Sequence, residues 1–228
     1  MTTQTSLART GETSEIRIPI DRVELEGELT VPQGATGIVL FAHGSGSGRH
    51  SPRNQYVARV IREAGTATLL FDLLTREEEE IDIFTAELRF DIKLLARRLV
   101  GATKWIATEK QTSNLRPGYF GASTGGGAAL VAAATLGEKI GAVVSRGGRP
   151  DLAGQALPHV KAPTLLLVGG FDVPVIKLNQ EAYAQLRCVK ELKIIPGATH
   201  LFEEPGKLEE VARLAAKWFQ EHLQIEQA

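Results

Sequence analysis

Ser123, Asp172 and His200 are the residues of this chain whose types and order can do acyl-transfer chemistry together. A serine hydroxyl is a weak nucleophile at neutral pH and needs a base within hydrogen-bond reach. A histidine, with an ordinary pKa of about 6.5, is suited to taking that proton and returning it. A carboxylate behind the histidine fixes its tautomer and stabilises the imidazolium as it forms. Ser123 stands in Gly121-Ala122-Ser123-Thr124-Gly125, after the apolar Tyr119 and Phe120 and before the apolar run 128–134. This Gly-x-Ser-x-Gly pattern reads as strand, very tight turn and helix, with the serine at the tip and glycines where strand and helix pass closely. The amide of Thr124, at the helix start, then faces the place where an oxyanion would form.

A second oxyanion donor is expected from His43-Gly44-Ser45-Gly46, which follows the apolar run 37–42. The amide of Ser45 is the candidate, and a loop made almost wholly of glycine and serine lets it approach a substrate. Each assignment has a blander rival. A short glycine-flanked serine recurs by chance, Asp172 could cap the helix beginning near Pro174, and His200 could be an ordinary loop histidine. The other histidines are placed less well. His159 precedes a strand at its opposite end, His222 lies on the terminal helix, and His43 and His50 come before the serine. His43 is expected to be a structural partner of its own loop. Arg49, His50 and Arg53 beside that loop, and Arg146 at a strand end, are possible substrate contacts able to bind a carboxylate or another anion. The preferred reading for each is that it ties loops together or pairs with the acidic run 77–80, itself expected to be a solvated face.

The elements that must position these residues follow from periodicity. Alternating apolar residues over 16–31 predict a hairpin with one solvated face. The short all-apolar run 37–42 predicts a strand buried on both faces of a parallel sheet, 67–71, 140–145 and 163–168 predict further short strands, and 192–195 the last. Helices are predicted from Pro52 to about Glu63, from about Thr85 through Trp105, from the elbow through 134, from Pro174 to Arg187, and over 207–223. The stretch 73–84 is expected to be an irregular excursion that could wall the pocket. Trp105 and Trp218 are core candidates. Strands alternating with helices argue an α/β fold, with a mainly parallel central sheet covered on both faces and an N-terminal antiparallel hairpin.

Composition sets the bounds. The 228 residues suit a single domain over 15–228, after a loose polar segment 1–14, with no room for a large cap domain. A net charge of −1 implies no bulk attraction to nucleic acid or an anionic membrane. The lone Cys188 rules out an intramolecular disulfide and any multi-cysteine metal site. The N-terminus does not read as a secretory signal, and the apolar runs fall far short of the ~20 residues that span a bilayer. The expectation is a cytoplasmic protein, monomer or homodimer, with no cofactor and no metal.

The chain resembles the dienelactone hydrolase-like group of the α/β-hydrolase superfamily over nearly all its length from about Ile16. The segments that carry the likeness are 41–54, 121–125, the turn 169–172 and His200-Leu201-Phe202. The order serine, acid, histidine is that of the superfamily's triad. Dienelactone hydrolases proper carry a cysteine in the elbow, where this chain has Ser123. The resemblance therefore implies a serine esterase acting on small or short-acyl carboxylic esters, or on lactones, through an acyl-enzyme. The competing class is a nucleotide-binding module built on the loop from Gly44 to Gly48, with Asp72 where a ribose ligand would stand. Against it, Gly-x-Gly-x-x-Gly fails, because Arg49 and Ser51 occupy the places a third glycine would need.

Overall fold

Residues of each inner strand alternate between two cores. In β3 (Gly37–Ala42), Ile38, Leu40 and Ala42 enter one apolar cluster while Val39 and Phe41 enter the other, and all six residues are buried. A strand apolar on both faces can lie only inside a sheet covered on both sides. The computed structural model, which describes residues 11–224, has that architecture. Its eight-stranded sheet runs β1-β2-β4-β3-β5-β6-β7-β8. β1 (Thr13–Ile20) and β2 (Val23–Thr30) form the antiparallel hairpin, and β2 pairs antiparallel with β4 (Ala67–Phe71). From β4 onward all pairs are parallel, through β3, β5 (Arg116–Ala122), β6 (Ala142–Arg146), β7 (Thr164–Gly169) and β8 (Lys190–Ile195). The chain changes direction of winding between β3 and β5, so a crevice opens beyond their carboxyl ends.

Helices cover the two faces. α1 (Pro52–Glu63) brings Val57 and Ile61, and α6 (Lys207–His222) brings Val211, Ala215 and Phe219, to the face of Phe41. The opposite face is covered by α3 (Ile92–Ile106), α4 (Thr124–Leu136) and α5 (Val173–Gln185). Each large apolar side chain so buried contributes about 1.5–3 kcal/mol relative to exposure. Trp218 is buried in the cluster of Phe41, and Trp105 is half-buried against the cluster on the opposite face.

The stretch expected to be irregular is instead helical. α2 (Arg76–Thr85) begins with a capping box: the Glu78 amide donates to Thr75 Oγ1 at 3.2 Å, and the Thr75 amide donates to the Glu78 carboxylate at 2.8 Å. These two bonds satisfy donors that a helix start otherwise leaves orphaned. The helix stops at Ala86, which takes a left-handed φ of 54°. Buried Asp82 then accepts from the Leu88 amide at 2.6 Å and from Arg89 Nε at 2.5 Å, folding the chain into a 3₁₀ turn (Leu88–Phe90). α3 starts only at Ile92, where the Asp91 side chain accepts from the Leu94 amide at 3.0 Å. The acidic run is therefore not simply a solvated face, since Glu78 also takes Arg98 at 2.6 Å.

Three smaller differences matter less. β1 begins at Thr13, inside the segment expected to be loose, and residues 1–10 lie outside the described residues. Ser51, which with Pro52 reads in the sequence as the N-cap of α1, stands at its start but its side chain makes no cap bond. A 3₁₀ segment (Pro150–His159), kinked at Gly154, packs Ala153 and Leu157 into the core beside α4. No helix among the described residues is long and apolar enough to cross a membrane.

Candidate active site

The turn between β5 and α4 is built on two close approaches. A Cβ on Gly121 would lie 2.6 Å from the Gly125 carbonyl oxygen, and one on Gly125 would overlap the carbonyl of Ala42. Only glycine lets strand and helix meet this tightly. Ser123 takes φ 50° and ψ −122°, a conformation costing on the order of 1–3 kcal/mol for a non-glycine residue. Its neighbours hold it there. The Ser123 amide donates to the Arg146 carbonyl at 3.3 Å, and its carbonyl accepts from the amides of Gly126 at 3.0 Å and Arg149 at 2.9 Å. Ser123 occupies the N-cap position of α4 without making a cap bond, so its hydroxyl is left to the cleft.

The acid and histidine loops are held in the same way. Gly169 ends β7, and a Cβ there would lie 2.5 Å from the Ala198 carbonyl oxygen, so the two loops can cross only at a glycine. The Phe171 amide donates to the Ala198 carbonyl at 2.9 Å. Phe202, with a φ of 59°, is buried below the histidine loop, and the Thr199 amide is held by the Glu204 carboxylate at 3.1 Å. Asp172 stands at the N-cap of α5, but its carboxylate makes no cap bond. It meets His200 instead: Nδ1 and Oδ2 are 2.6 Å apart. The rival capping role for Asp172 is thus not taken up. His200 and Ser123 both line one cleft of about 280 Å³, with the loop 44–47, Arg53, Ala122, Arg146 and Leu201.

The loop after β3 lies where the second oxyanion donor was expected, with one difference. The Ser45 amide already donates to Thr124 Oγ1 at 3.0 Å. That bond docks the loop on the first residue of α4 and fills the donor with a neighbouring hydroxyl. Thr124 supplies the first backbone amide of α4, one of those a helix leaves without an intrahelical partner. His43 behaves as a structural residue. Its Nε2 accepts from the Leu73 amide at 3.0 Å, leaving Nδ1–H to donate to the Gly44 carbonyl at 3.0 Å. Burial lowers its pKa, against a smaller opposing effect of the Gly44 hydrogen bond.

The arginines separate sharply. Arg49 is not brought to the cleft: its guanidinium pairs with Asp72 and, at 2.6 Å, with Glu26. His50 pairs with Glu28 at 3.0 Å. Neither meets the acidic run, because their partners sit on β2 and at the end of β4. Arg53 lines the cleft and its Nη1 donates to Glu203 at 2.8 Å, while its Nε is buried without a partner. Arg146 lines it too, 7% exposed, with Nη1 buried and unpartnered. Desolvation, reinforced by the like charge of Arg53, lowers its pKa to about 10. Burying an unpaired guanidinium costs several kcal/mol by the usual order of magnitude. Nothing in the sequence marked Arg146 as different from Arg49.

Known proteins share this architecture. The model of the dienelactone hydrolase family matches residues 25–225. A crystal structure of dienelactone hydrolase from Anabaena variabilis is 63% identical, covers 94% of this chain and 100% of its own, and superposes with a TM-score of 0.93. Two curated proteins of Mycobacterium tuberculosis, carrying a provisional phosphoribosyl transferase name, are each 58% identical over 209 residues. Those residues are 92% of this chain but 46% of each relative, so the chain spans less than half their length. Est1E from Butyrivibrio proteoclasticus shares 15% identity with a TM-score of 0.77, covering 91% of this chain and 98% of its own, a likeness of fold alone.

Proposed function

The chain belongs to the dienelactone hydrolase family, and from that premise we propose that it is a serine hydrolase cleaving small carboxylic esters or lactones. Ser123 Oγ attacks the carbonyl while His200 takes its proton. Asp172, on Nδ1, keeps the imidazole in the tautomer that leaves Nε2 free to accept. The tetrahedral oxyanion is held by the amides of Thr124 and Ser45, the substrate oxygen displacing the Thr124 hydroxyl from the Ser45 N–H. His200 then returns the proton to the leaving alkoxide, and water, activated by the same imidazole, releases the acid and regenerates Ser123.

The observation that carries this reading is the 2.6 Å contact between Asp172 and His200 in the cleft that Ser123 also lines. Two residues at helix N-caps, Ser123 and Asp172, both leave their caps unmade, and the second turns to a histidine. That cleft is small, about 280 Å³, which favours small acyl groups over long chains. The nucleotide-binding alternative gains no support, because the Asp72 it needs is already bound by Arg49.

The test is hydrolysis of 4-nitrophenyl acetate and butyrate by the wild type and Ser123→Ala, with dissociable metals chelated. The wild type turns over, and the variant loses on the order of 10³-fold or more in kcat. Equal rates for the two proteins would reduce Ser123 to a turn residue.

A further inference from the structure

One short loop meets the surroundings of Ser123, His200 and Asp172 alike. It runs from Arg146, the last residue of β6, through Gly147 and Gly148 to Arg149. Its two ends clamp the nucleophile: the Arg146 carbonyl accepts from the Ser123 amide, and the Arg149 amide donates to the Ser123 carbonyl. Gly147, with a φ of 50°, backs the histidine. A Cβ there would lie 3.0 Å from the His200 carbonyl oxygen and 3.5 Å from Nδ1. Gly148 packs against the first turn of α4, since a Cβ on it would overlap Ser145 Oγ, and one on Gly126 would lie 2.6 Å from the same atom. The link to the acid comes from α5, the helix that Asp172 precedes. Asn179 is wholly buried on it, and its Nδ2 donates to the Gly148 carbonyl at 3.0 Å and to the Val175 carbonyl, one turn back, at 2.8 Å. Its Oδ1 is buried without a partner. Packing alone would favour an apolar side chain here, because an amide buried with an orphaned acceptor costs stability. What only the amide supplies is a directional bond from the acid's helix to the loop.

We propose that Asn179 is a positioning residue for the catalytic side chains. Through Gly148 it locks α5, and with it Asp172, to the loop that holds Ser123 and backs His200, so that the three keep a common register. Its effect on rate rests on the serine-hydrolase reading, but its effect on the Asp172–His200 pair requires only their 2.6 Å contact. Two fixed points define that pair. Asn179 sets the carboxylate by way of α5, and Gly147 sets the imidazole from behind. Releasing either lets acid and histidine drift apart, and a displacement of about 1 Å among reacting groups costs on the order of 100-fold in rate.

The experiment measures kcat and KM for 4-nitrophenyl acetate, urea unfolding, and the ring-nitrogen shifts of isotope-labelled histidine in the wild type, Asn179→Leu and Gly147→Ala. Leucine fills a similar volume and removes the orphaned Oδ1 together with the bond to Gly148. In Asn179→Leu, kcat is expected to fall roughly 10- to 100-fold with KM changed less than about twofold. Asn179→Ser, too short to reach Gly148, gives the same pattern should the leucine variant fold poorly. The shifts, read at about pH 8 where an imidazole is neutral and assigned with His200→Gln, report which ring nitrogen carries the proton. The wild type shows the Nδ1–H form that Asp172 holds, and Asn179→Leu shows a mixture of the two tautomers. Gly147→Ala, pressing on His200 from behind, moves kcat and the shifts in the same direction. Thr103→Val is the control, because it strands the buried Tyr119 hydroxyl, 2.6 Å from Thr103 Oγ1, far from the loop. It lowers stability and leaves kcat and the shifts at their wild-type values. Unchanged kcat and a pure Nδ1–H form in Asn179→Leu overturn the role, even if Ser123→Ala confirms the nucleophile. A kcat loss that Thr103→Val matches overturns it too, since any buried hydrogen bond would then serve as well. Mixed tautomers in Asn179→Leu, in a protein whose wild type is inert toward the ester, would keep the positioning role and sink the hydrolase reading instead.

Discussion

Two arginines at the carboxyl edge of the sheet have opposite surroundings, and the difference separates scaffold from site. Arg49, beyond β3, lies between Asp72 and Glu26, so its charge closes the joint between the loop after β3, the middle of β2 and the end of β4. Arg146, at the end of β6, is more deeply buried and has no carboxylate. In the first region the charged and ring groups are partnered: the Arg49 amide also donates to Asp72 at 2.8 Å, and both nitrogens of His43 are bonded. In the second, polar groups are left waiting. The Ser123 side chain leaves its helix cap unmade, and Arg53 and Arg146 keep buried donors free. A satisfied region adds stability, whereas an unsatisfied one gives stability up for something that arrives from outside.

Exchanging each arginine for methionine sharpens the contrast most. Arg49→Met strands a largely buried Asp72 carboxylate and is expected to lower unfolding stability by about 1–3 kcal/mol. Arg146→Met removes a buried charge that has no partner, so stability stays level or rises. Urea denaturation of the two variants and the wild type, all at one pH, reads both effects. A loss in Arg146→Met as large as that in Arg49→Met would make both residues structural and erase the distinction.

A smaller effect tests the satisfied region alone. His43 is held neutral, with its pKa below the ordinary value because of burial. The unfolded chain therefore takes up a proton at this residue as pH falls below about 6.5, while the folded protein does not. The unfolded state binds more protons in that window, so stability falls with falling pH. Denaturation between about pH 7 and pH 5 should show a shallower decline in His43→Gln than in the wild type. Identical slopes would mean that His43 is solvated and not part of the closed joint.

The tight turn around Ser123 and the loops that bring Asp172 to His200 were legible because their constraints are local. Gly121 and Gly125 flank Ser123 for a steric reason that acts over a few residues, and the order of the three follows from their strands. The excursion after β4 was misread although its signal was present: Thr75-Arg76-Glu77-Glu78 is a capping box, and the acidic run hid it as apparent solvated surface. What no local pattern carries is pairing between distant strand ends. Arg49 and Asp72 are 23 residues apart, and Arg53 and Glu203 are 150 apart. Arg146 differs from Arg49 only by what the fold fails to put beside it. The bond from the Ser45 amide to the Thr124 hydroxyl is of the same kind, a contact between residues 79 positions apart that spacing does not reveal.

The central claim is that Ser123 is the nucleophile, and the most direct measurement is its covalent capture. The protein is treated with a fluorophosphonate, and its intact mass, the labelled peptide and the residual ester hydrolysis are followed together. One adduct per chain on the peptide containing Ser123, with activity lost in proportion and no label on Ser123→Ala, is the result predicted. Labelling at another residue, or turnover that survives complete labelling of Ser123, would contradict it.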